Sequence, residues 1–425
     1  MTDFTLFAKT LQDNGYNDIL TARYCGETPK HAARLRRCAD LFAETFGTNA
    51  VVSVFSAPGR TEICGNHTDH NHGKVLAASV NLDVLAIASV RDDPRVLVQS
   101  EGHSLTDIVV TDHTPAQSEI GHSAALIRGM CAGFAQRGYK IGGFQAATVS
   151  DVLSGSGLSS SAAFEVLIGT VLNHFFNGGS IPAPEIAKIA QESENRFFGK
   201  PCGLMDQMAC SVGGFVGIDF ADTANPIIEP IAFDFAACNH ALCIVNTGGS
   251  HADLTEAYAA VREEMECVAR LLGKSVLRDV SKEDLLRSIT MLRAEAGDRA
   301  VLRALHFFDE NDRVDRQTAA LRRGDFETFK RLVVQSGQSS FMYNQNIHTG
   351  DPSLQSVALG LGVSEQILRG RGAWRVHGGG FAGTIQAFVP ADLLESYRSQ
   401  METIFGHDSC YVLKIRPDGG VYVLG

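Results

Sequence analysis

Leu153-Ser154-Gly155-Ser156-Gly157-Leu158-Ser159-Ser160-Ser161-Ala162-Ala163 places glycines and hydroxyls at the point where a strand hands over to a helix. Residues 145–149 before it read as a short strand, and residues 162–176 after it carry apolar side chains at helical spacing. The first backbone N–H groups of such a helix lack partners within it, and with the positive end of the helix dipole they point at the loop. Gly155, Ser156, Gly157, Leu158, Ser159, Ser160 and Ser161 therefore read as a cradle for an anion such as a nucleotide phosphate. Two common nucleotide loops are excluded. No lysine stands where G-x-x-x-x-G-K-[ST] needs one, and Ser160 occupies the third glycine of G-x-G-x-x-G. A serine-rich helix start with nothing bound fits the same run, so companions elsewhere in the chain must decide.

Two companions exist. Ser56-Ala57-Pro58-Gly59-Arg60-Thr61-Glu62-Ile63-Cys64-Gly65-Asn66-His67-Thr68-Asp69-His70-Asn71-His72-Gly73 is polar and glycine-punctuated, and it follows an apolar strand expected over 51–55. Such a stretch at a strand end suits a site carried on a scaffold edge. Val376-His377-Gly378-Gly379-Gly380-Phe381-Ala382-Gly383 precedes a strand expected over 384–389, and its three consecutive glycines let the backbone approach another group closely.

Taken in order, A-P-G-R…G-x-H-T-D, G-S-G-L-S-S-S-A-A and G-G-G-F-x-G resemble the three motifs of the GHMP small-molecule kinases, spread from residue 57 to residue 383. Within that superfamily, G-R-x-x-x-x-G-x-H-T-D over 59–69 and Pro201-Cys202-Gly203-Leu204-Met205-Asp206-Gln207 most resemble the galactokinases. The resemblance implies a two-domain α+β fold of mixed sheets and helices, with the active site between the domains. It also implies ATP-dependent phosphoryl transfer, assisted by Mg2+, to the anomeric hydroxyl of galactose or a close relative.

On that resemblance Asp206 would receive the proton of the anomeric hydroxyl, and Arg60 would keep the carboxylate ionised. Glu194, twelve residues before Asp206, would hold Mg2+ from a helix expected over 184–198 and ended by Gly199, with Ser160 or a neighbouring serine supplying a second oxygen. Asn66, His67, Asp69, the backbone at Gly203, and Tyr258 on a helix expected over 254–272 would contact the sugar. Ordinary structural readings stand beside these: a capping bond for Asp206, a surface ion pair for Arg60, a solvated helix charge for Glu194 and core packing for Tyr258.

The chain also departs from the family. Asn66 replaces a glutamate that faces the sugar's 6-hydroxyl, and His70 replaces a tyrosine. A neutral amide both donates and accepts, so galacturonate and L-arabinose join galactose as candidate substrates. Ser123 and Leu126 stand where the family places an aromatic beside adenine. Thr61-Glu62 brings a carboxylate near Arg60, where pairing would compete with Asp206. His67, Asp69, His70 and His72 are metal-ligand types, but their order lacks H-E-x-x-H and no Cys-x-x-Cys accompanies them, which argues against zinc. A sugar sensor with little turnover is the rival function; retention of Asp206, Arg60, Glu194 and the three serines favours the enzyme.

Composition sets the frame. With 425 residues and 44% hydrophobic content the chain can bury a large core, and the motif order suggests domains over 46–215 and 216–425 behind a helical extension over 1–45. Further helices are expected over 31–46, 301–322 and 326–338, and strands over 241–245 and 411–415. A net charge of −11 without a basic stripe argues against nucleic acid. Ten cysteines without paired spacing, and a start lacking the basic and apolar parts of a signal peptide, point to a cytoplasmic protein with reduced thiols. No stretch approaches transmembrane length, so the expected partner is a small sugar rather than a membrane, and a monomer is compatible with this composition.

Overall fold

A computed structural model describes residues 1–24, 28–152, 158–248, 255–348, 350–381 and 383–425. The first sheet contains β1 (Thr2–Asp3), β2 (Val51–Cys64), β3 (Lys74–Val90), β4 (Arg95–Ser100), β5 (Thr106–Val109), β6 (Phe144–Ser150), β7 (Phe215–Asp219) and β8 (Ile227–Ile231), in the order β1-β2-β3-β6-β4-β5. One edge of β3 is shared: β7 pairs with its first half and β6 with its second. The pair β4–β6 is parallel, and the other pairings are antiparallel. A second, antiparallel sheet comprises β9 (His240–Asn246), β10 (Ala373–Val376), β11 (Thr384–Pro390) and β12 (Cys410–Leu413), in the order β10-β11-β9-β12. The chain then returns, and β13 (Val421–Leu424) pairs with β2.

Both faces of the first sheet are covered. Phe55, Ala57, Ala86 and Ala146 face a core that includes Ala163, Val166 and Leu167 of the helix Ser160–Asn177 and extends to Leu242, Ile244 and Phe388 of the second sheet. Val52, Val54, Leu85, Ile87, Ala147 and Val149 face the opposite way, onto Phe7, Leu35 and Phe42 of the N-terminal helices Phe4–Gln12 and Thr28–Phe46. Burying each of those three large side chains contributes on the order of 1.5–3 kcal/mol. The first 45 residues thus supply the second cover that a sheet with apolar residues on both faces requires.

Two expectations change. The strand expected over 51–55 continues to Cys64, because the polar residues beyond Phe55 pair with β3 and find buried partners. Register shifts between Pro58 and Arg60 and between Glu62 and Cys64 absorb the proline and re-aim the side chains that follow. The helix expected over 184–198 is α-helical only over Ala183–Ser193 and finishes in a π-turn, Glu194–Phe198, before Gly199 at φ 83°. β7 begins at residue 215, and β7, β8 and β13 all pair within the first sheet. Gly213 and Gly214, at φ 86° and 61°, form the turn into β7.

One buried carboxylate fastens the N-terminal helices and the C-terminal segment to the sheet. Asp83 on β3 accepts from Tyr24 Oη at 2.6 Å, Arg34 Nη1 at 2.7 Å and Arg416 Nη1 at 3.0 Å, and from Ser56 Oγ. Burial alone would raise its pKa, but the two guanidinium groups outweigh burial and hold it well below the usual carboxylate range. Asp83→Asn would take the counter-charge from buried Arg416 and leave buried Arg34 with only Asp151, whose Oδ1 lies 3.2 Å from its Nε. The expected loss is about 3–5 kcal/mol of unfolding free energy in urea titrations. Because the folded pKa is depressed, this contribution is present above the unfolded value of about 4 and fades as pH falls below it. Equal stability of wild type and variant at pH 7 would remove Asp83 from this role.

Candidate active site

The extension of β2 carries Arg60 into the interior, where it is 7% exposed. Its Nε and Nη2 donate to the two carboxylate oxygens of Asp206, each at 2.7 Å. Asp206 lies in the first turn of the helix Met205–Val212, where the helix dipole favours negative charge. Ser159 Oγ donates to Asp206 as well, so the start of the helix Ser160–Asn177 is tied to the start of the helix Met205–Val212. Burial would raise the pKa of Asp206, but the charge and hydrogen bonds of Arg60, with the bond from Ser159, prevail and hold it below the usual value. The carboxylate is ionised at neutral pH.

Ser159 precedes its helix at φ 59°, and the amide of Arg60 donates to Leu158 O at 3.1 Å, which moors the end of the serine run to β2. Gly155, Ser156 and Gly157 lie outside the described residues. Among the described serines, Ser161 reaches the other predicted carboxylate: its Oγ donates to Glu194 Oε1 at 2.8 Å. Glu194 is 2% exposed, at the π-turn, and it also accepts from Lys200 Nζ at 3.0 Å and Gln207 Nε2 at 2.6 Å. The solvated-helix-charge alternative does not describe a residue so placed. Lys200 and Gln207 were not singled out as functional by the sequence, although both flank the Pro201–Asp206 run.

A second group forms where the first motif meets the triple glycine. Gly378 O accepts from Asn66 Nδ2 at 2.7 Å, Gly379 O from His67 Nε2 at 2.8 Å, and Gly380 O from Tyr258 Oη at 2.7 Å. Gly380 has φ 78°, and a Cβ there would run into Asn346. The amide of Asn66 has all its bonds within the protein: Nδ2 also donates to Glu62 Oε1 at 3.1 Å, while Oδ1 accepts from Asn346 Nδ2 at 2.7 Å and Ser340 Oγ at 3.4 Å. Glu62 turns to Arg375 at 2.6 Å, leaving Arg60 to Asp206. Leu126 is buried, and Ser123 Oγ bonds Thr106 Oγ1 at 3.2 Å.

Asp69 links the two groups. Its Oδ2 lies so close to Gly203 that any Cβ at 203 would collide with it, which explains the glycine in the Pro201–Gln207 run. Burial, reinforced by the negative charges of Glu62 and Asp206, raises the Asp69 pKa to about 6. Two carboxylates with opposed shifts thus stand in one region. A cavity of about 960 Å³ lies elsewhere, lined by Phe215, Ile231, Phe233, Phe235 and Ile415, and none of the predicted site residues borders it.

Comparison with known proteins finds relatives across most of the chain. Residues 125–214 match the GHMP kinases N terminal domain, and residues 40–90 match the galactokinase galactose-binding signature. The chain is 33% identical over 351 residues to a galactokinase of Thermotoga petrophila, across 80% of this chain and 93% of that one. It is 30% identical over 402 residues to the galactokinase of Bos taurus, across 92% and 97% respectively. The crystal structure of Lactococcus lactis galactokinase complexed with galactose superposes with a TM-score of 0.75 at 25% identity, covering 90% of this chain and 98% of that one.

The raised pKa of Asp69 gives a direct measurement. Carbon-detected NMR on labelled protein should show the Asp69 carboxyl protonated below and ionised above about pH 6. Removing the Asp206 charge as Asp206→Asn should move that midpoint down. A midpoint in the ordinary aspartate range would mean that Asp69 is solvated.

Proposed function

The chain belongs to the galactokinase family of the GHMP kinases, and we propose that it transfers the γ-phosphoryl group of ATP to the anomeric hydroxyl of galactose, with Asp206 receiving the proton. The observation that carries this mechanism is the bidentate Arg60–Asp206 pair, set at one helix start and touched by Ser159 from another. Phosphoryl transfer asks a protein for positioning and charge stabilisation more than for covalent chemistry. Asp206, held ionised, is a ready but weak base. It takes the proton once bonding to phosphorus has acidified the sugar hydroxyl, and Arg60 then steadies the negative charge shared along that hydrogen bond.

The donor phosphates belong at the serine run, where the N–H groups of the helix Ser160–Asn177 face its start. Glu194 and a serine hydroxyl are hard oxygen donors that fit Mg2+, and the short approach of Ser161 to Glu194 favours Ser161 over Ser160 for that hydroxyl. Mg2+ bound there would neutralise phosphate charge. Lys200 and Gln207 hold the Glu194 carboxylate in place. Asp69, His67, the Gly203 backbone and Tyr258 take the sugar in this proposal. Asn66 has a supporting place, since its amide is occupied by Glu62, Gly378, Asn346 and Ser340.

A coupled ADP-release assay with galactose, galacturonate and L-arabinose tests the activity and the substrate together. Galactose should be turned over; binding of galactose without ADP release would replace the kinase by a sensor. Asp206→Asn should reduce kcat by about a hundredfold or more while calorimetry finds galactose binding retained. A near-wild-type rate would make Asp206 structural.

Glu194→Gln should raise the Mg2+ concentration for half-maximal rate several-fold, because an amide is a poorer ligand than a carboxylate for a hard dication. Galactose affinity should stay within about twofold of wild type, since Glu194 faces Ser161 and Gln207. An unchanged Mg2+ requirement would take Glu194 out of the metal site.

A further inference from the structure

His70 takes no part in the proposed mechanism, and its hydrogen bonds define its protonation state. The amide of Leu277 donates to Asn71 Oδ1 at 3.0 Å. A backbone N–H can only donate, so the Asn71 side chain must present its Nδ2 to the other neighbour, His70 Nδ1, at 2.9 Å. Nδ1 is therefore the acceptor of that bond, and the ring proton sits on Nε2. Nε2 is buried and has no hydrogen-bond partner among the described residues. An imidazole N–H buried without an acceptor costs free energy that a bound oxygen would recover.

The surroundings of that N–H belong to the sugar group. His70 follows Asp69 in the short turn Asp69–Asn71, and its ring centroid is 5.9 Å from that of His67. The helix Thr255–Leu271, which carries Tyr258, packs against the same turn. Burial, and then the nearby His67, Arg262 and His306, oppose a positive charge on the ring. The donor is thus a neutral N–H, suited to a hydroxyl or ring oxygen.

We propose that His70 is a specificity-determining residue of the sugar site, whose Nε2–H, oriented through Asn71 by the Leu277 amide, donates to one oxygen of the bound sugar. This rests on the galactose-kinase assignment and extends it. The bond is neutral, so its loss should weaken sugar use by about three- to tenfold rather than abolish it.

The test combines two variants with galactose and its singly deoxygenated analogues. His70→Phe should raise the galactose KM about three- to tenfold with kcat within about twofold, and His70→Gln, whose amide nitrogen can replace Nε2, should restore most of the loss. One deoxygalactose should be penalised on wild type and no longer penalised on His70→Phe, whereas a merely structural effect would weaken all the sugars alike. In 15N-histidine NMR of the wild type, the His70 ring should carry its proton on Nε2, and that N–H signal should move when galactose is added. If wild type uses galactose but His70→Phe has an unchanged KM, or the Nε2–H signal ignores galactose, the donor serves only a buried water and the proposal is overturned. Should His70→Phe fail to fold, the NMR titration of wild type decides alone. If wild type neither binds nor phosphorylates galactose, the kinase assignment fails and this proposal falls with it.

Discussion

Arg60 and Glu62 stand two residues apart on one buried strand, and each is neutralised by a charge from a different part of the chain. Asp206 meets Arg60 from the helix Met205–Val212, and Arg375 meets Glu62 from β10 of the second sheet. Taking either charge out of water without its partner would cost several kcal/mol, so folding β2 into the interior demands that both partners arrive. The same two pairs bring the serine-led helix start, the Asp206 helix and the triple glycine to one place. The site is assembled because the strand's charges must be satisfied.

The arrangement separates the carboxylates by environment. Asp206, clamped by Arg60, is held in its ionised form, whereas Asp69 has no cation beside it among the described residues and is pushed upward by burial and like charge. Glu194, with Lys200, Gln207 and Ser161 around it, is a third carboxylate with its own set of partners. In the proposed function, identical side-chain chemistry would thereby serve proton acceptance at Asp206, sugar contact at Asp69 and metal binding at Glu194.

The triple glycine acts through its carbonyls. Three consecutive oxygens receive Asn66, His67 and Tyr258, so a loop whose glycines suggest conformational freedom serves as a fixed acceptor strip across the first motif. A replacement of glutamate by asparagine at residue 66 suits this strip, because an amide can donate to Gly378 O and still accept from Asn346. A carboxylate there would face Glu62 and offer no proton to either.

Much was legible in the sequence because it is local. The strand, serine run and helix around residues 145–177 follow from spacing and from the unpaired amides of a helix start, and the long helices near 255–271, 298–322 and 326–339 follow from period 3.6. The motifs likewise indicated the family. What spacing could not carry was pairing between distant residues. The stretch after Phe55 looks like a loop because it is polar, and it is a strand because Asp206, Arg375 and Gln386 lie waiting for Arg60, Glu62 and Thr61. The first 45 residues show helices in their pattern, but only the sheet's second apolar face explains why they are needed. The sequence by itself determined the strongly periodic helices and the chemistry available at each motif; the tertiary structure alone decided which buried charge meets which, because that choice depends on partners far along the chain and on the burial that makes an unpaired charge so costly.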